Sequence, residues 1–257
     1  MNIIKLPNHY AGFFSTTTII LFNIINYFKN NGIHPNDIDS SNTFTWYRYT
    51  NNNIFFDFFK IGDINKLGVS LIDFNYEDRG DIQFKKYVQY NLDVYFKYVN
   101  VYFNLSDKVM YIYQNIIDKY NINFDNTCCL FLRGNDKATE CEIPSYNKYI
   151  EKGREIIKIN PNIIFLIQSD EKEFIDEMTL HFPNNIVFKD EIRVIPKNKN
   201  KTVDNHGKTP KINHTFALKF LAIVYIMSKC KYVICNSGNI SFWILMYRQH
   251  FNNYIQL

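Results

Sequence analysis

From about Asn126 onward, apolar runs alternate with amphipathic stretches in a regular rhythm. TCCLFLR (127–133) reads as a buried strand, followed by a charged loop and a helix from Pro144 to about Ile159. NIIFLIQSD (162–170) predicts a second strand, EKEFIDEMTLHF (171–182) a helix and NIVFKD (185–190) a third strand. After a polar loop, HTFALKFLAIVYIMSKC (214–230) predicts a long helix and KYVICNS (231–237) a fourth strand. Strands separated by helices of these lengths imply right-handed βαβ crossovers and a parallel sheet.

The first half is less regular. NIIKLPNHYAGFF (2–14) predicts a strand and a turn at Gly12, and STTTIILFNIINYFKNNG (15–32) a helix capped by Ser15 or a neighbouring threonine and stopped by Gly32. FDFFKIGD (56–63) and LGVSLIDF (67–74) are candidate strands. The aromatic stretch from Ile82 to Phe103 fits either helix or strand. In SDKVMYIYQNIIDKYNI (106–122), Ser106 can cap a helix whose apolar face is Val109, Ile112, Tyr113, Ile116 and Ile117. An Asn/Asp-rich link at 121–126 suggests two lobes, 1–125 and 126–257.

Composition narrows the function classes. A chain that is 46% hydrophobic and 17% aromatic has ample material for packed cores, which argues against global disorder. A net charge of +4 is too mild to make nucleic acid or an anionic membrane the main partner. The apolar stretches Ile19–Phe28 and Phe216–Met227 are shorter than the roughly 18–20 residues of a spanning helix. The amino terminus carries one lysine before Pro7 and no signal peptide is expected, so the chain reads as soluble. Five cysteines without a CxxC pair or a metal-type spacing fit buried free thiols in a reducing compartment.

Candidate chemistry collects at strand ends. In a parallel α/β sheet, ligands sit beyond the carboxyl ends of the strands. Three such ends are polar here: LRGND, QSDEK and CNSGN. Arg133 offers a planar fork suited to phosphate oxygens, against the plainer reading of a loop ion pair with a following aspartate. Asn236, Ser237, Gly238 and Asn239 open the last helix, where unpaired N–H groups favour an anion or serve only as a cap. Asp170 before a helix reads as a donor contact or as an N-cap. The segment from Arg193 to Lys211 is basic and reads as a lid or as a solvated loop, and His206 and His214 are candidate donor contacts. Asp37-Ile38-Asp39 forms a DxD, but it follows Gly-Ile-His-Pro-Asn, without the apolar strand a metal-binding DxD normally ends. No GxGxxG follows a predicted strand, which excludes a Rossmann dehydrogenase.

MSKCKYVICNSGNISFW (227–243) resembles the C-terminal motif of α-1,2-fucosyltransferases, with Asn236 and Ser237 matching. FLRGNDKATE (131–140) resembles the Arg-Arg-x-Asp-Lys…Thr-Glu motif of α-1,6-fucosyltransferases and related nodulation-factor enzymes, and FLIQSDEKEFIDEM (165–178) resembles the segment between the two motifs. The similarity spans roughly 127–248; in the first half, HYAGFFS (9–15) stands where family members carry a Gly-rich loop, placing Gly12 at the donor. The resemblance implies an α/β, GT-B-like glycosyltransferase with two Rossmann-like lobes around a cleft, inverting and metal-independent. It further implies no cofactor beyond a GDP-fucose donor, and a glycan acceptor. It implies that Arg133, Asp170 and Asn236–Asn239 hold the donor, and that Glu140, with Glu142 as rival, is the general base. Two positions depart from the family: Phe131 replaces the usual first histidine, and Gly134 the second arginine. They leave a UDP-linked or other GDP-linked donor, or a non-catalytic glycan-binding module, as alternatives. The lack of an anchor segment sets the chain apart from Golgi enzymes and suggests a cytoplasmic bacterial or viral one.

Overall fold

The structure is a computed structural model that describes residues 2–7, 9–68, 74–201 and 209–257. The chain divides into two compact units, Met1–Ile112 with Gly207–Ala222, and Tyr113–His206 with Ile223–Leu257. Two of the borders fall inside helices, Asp107–Tyr120 and Pro210–Lys229.

The first unit contains β1 (Ile3–Lys5), α1 (Phe13–Asn31), β2 (Asp37–Asp39), α2 (Phe55–Phe58), β3 (Phe59–Lys60), α3 (Asp78–Asp81), α4 (Asp93–Tyr102) and β4 (Asn104–Leu105). β1 and β2 pair in parallel, and β3 and β4 antiparallel. α1 starts at Gly12, ahead of the expected Ser15 cap. The threonines lie inside the helix, where Thr17 and Thr18 donate to the carbonyls of Phe13 and Phe14 at 2.8 and 2.9 Å. Gly32 ends it in the left-handed conformation (φ 68°), as its sequence position predicts.

FDFFKIGD is not one strand. Phe55, Phe58 and Phe59 are all buried, and their i, i+3, i+4 spacing suits a helical turn facing one core. There they join Phe13, Phe44 and Phe103 in edge, tilted and stacked ring contacts; Phe13–Phe58 centroids are 4.7 Å apart and Phe59–Phe103 5.2 Å. The ambiguous aromatic stretch resolves into α4, which buries Tyr95, Tyr98 and Tyr102. In the expected strand at 67–74, residues 69–73 lie outside the described residues.

α5 (Asp107–Tyr120) begins where predicted, with the Val109 N–H donating to Ser106 Oγ at 3.4 Å. The rest of the chain follows the βα rhythm: β5 (Thr127–Leu132), α6 (Tyr146–Ile159), β6 (Ile164–Ser169), α7 (Lys172–His181), β7 (Asn185–Ile186), α8 (Pro210–Lys229), β8 (Tyr232–Cys235), α9 (Asn239–Arg248) and β9 (Tyr254–Gln256). The strands form one parallel sheet in the order β7-β6-β5-β8-β9. The edge strand β9 was not anticipated from sequence. Cys128, Leu130, Leu132, Phe165, Ile167 and Ile234 line one face and pack with Tyr149, Phe174 and Phe182 of the α6–α7 layer. Gly153 permits that packing, because a Cβ there would lie 2.4 Å from the Phe182 ring. The described cysteines are free, and burial pushes the Cys128 and Cys129 thiols up, consistent with the inert-thiol reading. Among the described residues, no helix is long and apolar enough to cross a membrane.

Candidate functional site

The chain runs from β5 outward to β6 and β7, then returns to the other side of β5 as β8. The strand order reverses between β5 and β8, and a ligand crevice is expected beyond the carboxyl ends of that pair. Phe131 is opposite Cys235 in register, so Arg133 and Asn236 emerge there side by side. The Asn236 carboxamide locks them together: its Oδ1 accepts from the Arg133 N–H and its Nδ2 donates to the Arg133 carbonyl, both at 2.9 Å. A side chain thus continues the ladder by one step.

The Arg133 side chain is only 15% exposed and is held between two carboxylates. One guanidinium nitrogen pairs with Asp170 Oδ2 and the other with Asp136 Oδ1 at 2.5 Å. Asp170 is not an N-cap; its second oxygen accepts from the Gly134 N–H at 2.8 Å, and Glu171 takes the cap position of α7. The ion pair with a following aspartate is present, to Asp136, but as one part of a largely buried network, and the cap reading of Asp170 is not met.

Three of its members were not singled out from sequence. Glu171 is buried and accepts from Tyr146 Oη, from the Asn135 N–H (3.3 Å) and from Lys197 Nζ (3.1 Å). Its carboxylate explains Gly134: a Cβ at that position would sit 2.3 Å from Glu171 Oε2, so a second arginine does not fit. Asn135 adopts φ 44°, which asparagine tolerates, and its Nδ2 donates to the Asp170 carbonyl at 2.8 Å. Lys137, whose side chain is 7% exposed, donates to Glu140 Oε2 at 2.6 Å. Its Cε would lie 3.9 Å from a Cβ on Gly238, which brings the β5 loop against the turn that opens α9. A lysine in a polar loop gives no sequence signal of burial; the turn at Gly238 after β8 approaches it from a distant part of the chain.

The other expected residues distribute unevenly. Ser237 Oγ accepts from Gln256 Nε2 at 2.9 Å, and Gly238 is the N-cap of α9 at φ 154°, a conformation that favours glycine. Asn239 is the first residue of that helix. Glu140 is about half exposed, whereas Glu142 lines a separate pocket of about 360 Å³ with Asn135, Cys141, Glu171, Lys197 and Lys199. The basic segment is docked at its start, where Ile195 pairs with the β6 end through Asp170 and Lys172 backbone bonds of 3.0 Å. Its residues 202–208, including His206 and Lys208, lie outside the described residues.

Gly12 and His214 belong to the first unit. Gly12 caps α1 with φ −58°, so its backbone does not require glycine. His214 is buried among Tyr49 and Phe58, with Nε2 3.1 Å from Asp57 Oδ2. Burial lowers its pKa from the ordinary imidazole value, against the pull of Asp57. The DxD aspartates lie in β2, where Asp39 Oδ1 accepts from the Ser41 N–H at 3.0 Å and hydrogen bonds from Ser41 lower its pKa.

No protein-family model matches the chain, and no curated protein is similar to it in sequence. Solved structures are similar in fold. NodZ α-1,6-fucosyltransferase soaked with GDP-fucose matches 95% of this chain and 91% of its own, with a TM-score of 0.53 at 10% identity. The same enzyme co-crystallised with GDP matches 94% and 90%, with a TM-score of 0.52 at 10% identity. Fucosyltransferase NodZ from Bradyrhizobium matches 90% and 86%, with a TM-score of 0.50 at 11% identity. The chain shares the fold of these fucosyltransferases. That fold is the α/β, GT-B-like architecture implied by the motifs around Arg133, Asp170 and Asn236.

Proposed function

We propose that this chain is an inverting, metal-independent glycosyltransferase that moves fucose from GDP-fucose to a hydroxyl of a glycan acceptor. The observation that carries this reading is the fixed guanidinium of Arg133, at the crevice between β5 and β8 of a fucosyltransferase-like fold. Asn236 fixes the Arg133 backbone, and Asp170 and Asp136 set the plane of the fork in advance, as electrostatic stabilisation of a leaving group requires. In the reaction the acceptor oxygen attacks the anomeric carbon, the bond from that carbon to the diphosphate breaks, and the electron pair leaves with GDP. Arg133, with the N–H groups opening α9 at Ser237, Gly238 and Asn239, neutralises the charge that builds on the departing diphosphate.

Glu140 takes the acceptor proton, held by Lys137 at the same crevice; Glu142, in the neighbouring pocket, is the rival. The reaction needs no cofactor, and a cytoplasmic setting fits the buried free thiols. The test is transfer from GDP-fucose to a panel of glycans, with and without EDTA, in wild type and Arg133→Ala. Removing a group aimed at the leaving charge should lower kcat about a hundredfold or more. Full transfer by a folded Arg133→Ala protein would overturn the reading, as would a wild type that binds no nucleoside diphosphate.

A further inference from the structure

We infer that Gln168 reads the base of the nucleotide donor, an assignment that rests on the function proposed above. Gln168 is the fifth residue of β6 and is 2% exposed. Both of its amide atoms, Nε2 and Oε1, are closed off from solvent and have no hydrogen-bond partner among the described residues. Buried polar atoms without partners are rare, because a donor and an acceptor taken out of water and left unpaired cost stability. A leucine or methionine would fill a strand position without that cost, so the carboxamide calls for a partner.

Its place in the sheet indicates which partner. Gln168 stands opposite Phe131 of β5, and Phe131 opposite Cys235 of β8, in one row across the sheet. The α6–α7 core takes Leu130, Leu132, Ile167 and Ile234 from these strands, so the row faces the other side. The row lies two residues before Arg133 and Asp170, the pair held at the strand ends. Phe131 supplies a flat apolar surface and no polar atom for the neighbouring amide. A flat heterocycle whose edge carries an acceptor next to a donor meets both requirements.

A carboxamide donates through Nε2 and accepts through Oε1, which complements a ring C=O beside a ring N–H. Guanine presents that edge at C6=O and N1–H, and uracil at C4=O and N3–H. The amide is covered in this structure, so the base reaches it by displacing the side chains over it. Guanine is the expected occupant because structures of similar fold were solved with GDP or GDP-fucose.

The test is calorimetric binding of GDP, IDP, UDP and the diphosphate of purine riboside, whose base edge carries ring acceptors and no N–H donor. Wild type should bind GDP and IDP alike and the purine analogue about tenfold to a hundredfold more weakly, as for a buried hydrogen-bonding edge left unpaired. Gln168→Met should lose GDP affinity by a similar factor and no longer separate GDP from that analogue. Tight UDP binding, lost in Gln168→Met, supports the same role with uracil as the base. Unchanged affinities in Gln168→Met with a raised melting temperature overturn the assignment and leave the transferase reading standing. Equal wild-type binding of GDP and the purine analogue overturns it without any variant. A wild type that binds none of the four removes both.

Discussion

Arg133 in the second unit and His214 in the first are both largely buried cations or potential cations facing carboxylates, yet they are built differently. Arg133 is fixed from several directions: Asn236 holds its backbone, Asp170 and Asp136 hold its fork, and Asp170 also binds the Gly134 N–H. His214 has one carboxylate, Asp57, which also pairs with Lys108 at 2.5 Å, and otherwise rests on aromatic rings. A guanidinium keeps its charge at any ordinary pH, so a network can be built around it; an imidazole among rings gives up its proton as burial outweighs Asp57. Strand ends of a parallel sheet supply fixed backbone directions for the first kind of site. The second needs only a packed aromatic core.

The largest way to break this contrast is Asp170→Ala. It removes the more buried of the two carboxylates that hold a guanidinium 15% exposed and frees the Gly134 N–H, and with Asp136 still in place this should cost about 3 kcal/mol in urea denaturation, the low end for breaking a buried pair. A loss below about 1 kcal/mol would show that the network is not a fixed unit.

Next is Gly134→Ala, which places a methyl 2.3 Å from Glu171 Oε2. Overpacking of this kind should cost about 1–3 kcal/mol. Combined with Glu171→Ala, the cost should fall short of the sum of the single variants, because the clash goes with the carboxylate. Strict additivity would separate the glycine from Glu171.

The smallest effect concerns His214. Its folded pKa lies below the unfolded value, so at neutral pH both states are uncharged and stability is full. As pH falls below about 6.5 the unfolded chain takes up the proton first, and stability declines towards pH 5. His214→Phe should flatten that decline without abolishing it, since burial lowers His9, His34 and His250 in the same direction. An unchanged slope between pH 7 and pH 5 would place His214 in a more solvated setting than its ring neighbours suggest.

The parallel sheet of the second unit was readable because each strand is a short apolar run and each helix repeats its apolar positions at helical spacing. The failures were of two physical kinds. FDFFKIGD looked β-rich because phenylalanine favours strands, but its helical spacing suits one convergent core, and burial outweighed propensity. The short strand β9 gave no signal, because its place at the sheet edge depends on pairing with β8, whose register partners lie 21 residues earlier.

By itself the sequence determined which residue types stand at the ends of β5, β6 and β8: Arg133, Asp170 and Asn236 occupy the positions where apolar runs stop, and local hydrophobic pattern is enough to find them. Only the tertiary structure decided what those residues hold. Asn236 reaches an Arg133 backbone 103 positions earlier, Glu171 forces glycine at 134, Lys137 is approached by the turn at Gly238, and Gln168 is buried beside Phe131 with its amide unmatched. Each depends on a crossover that brings distant strand ends to one edge, and hydrogen-bond satisfaction and close approach are properties of that edge, not of any window along the chain.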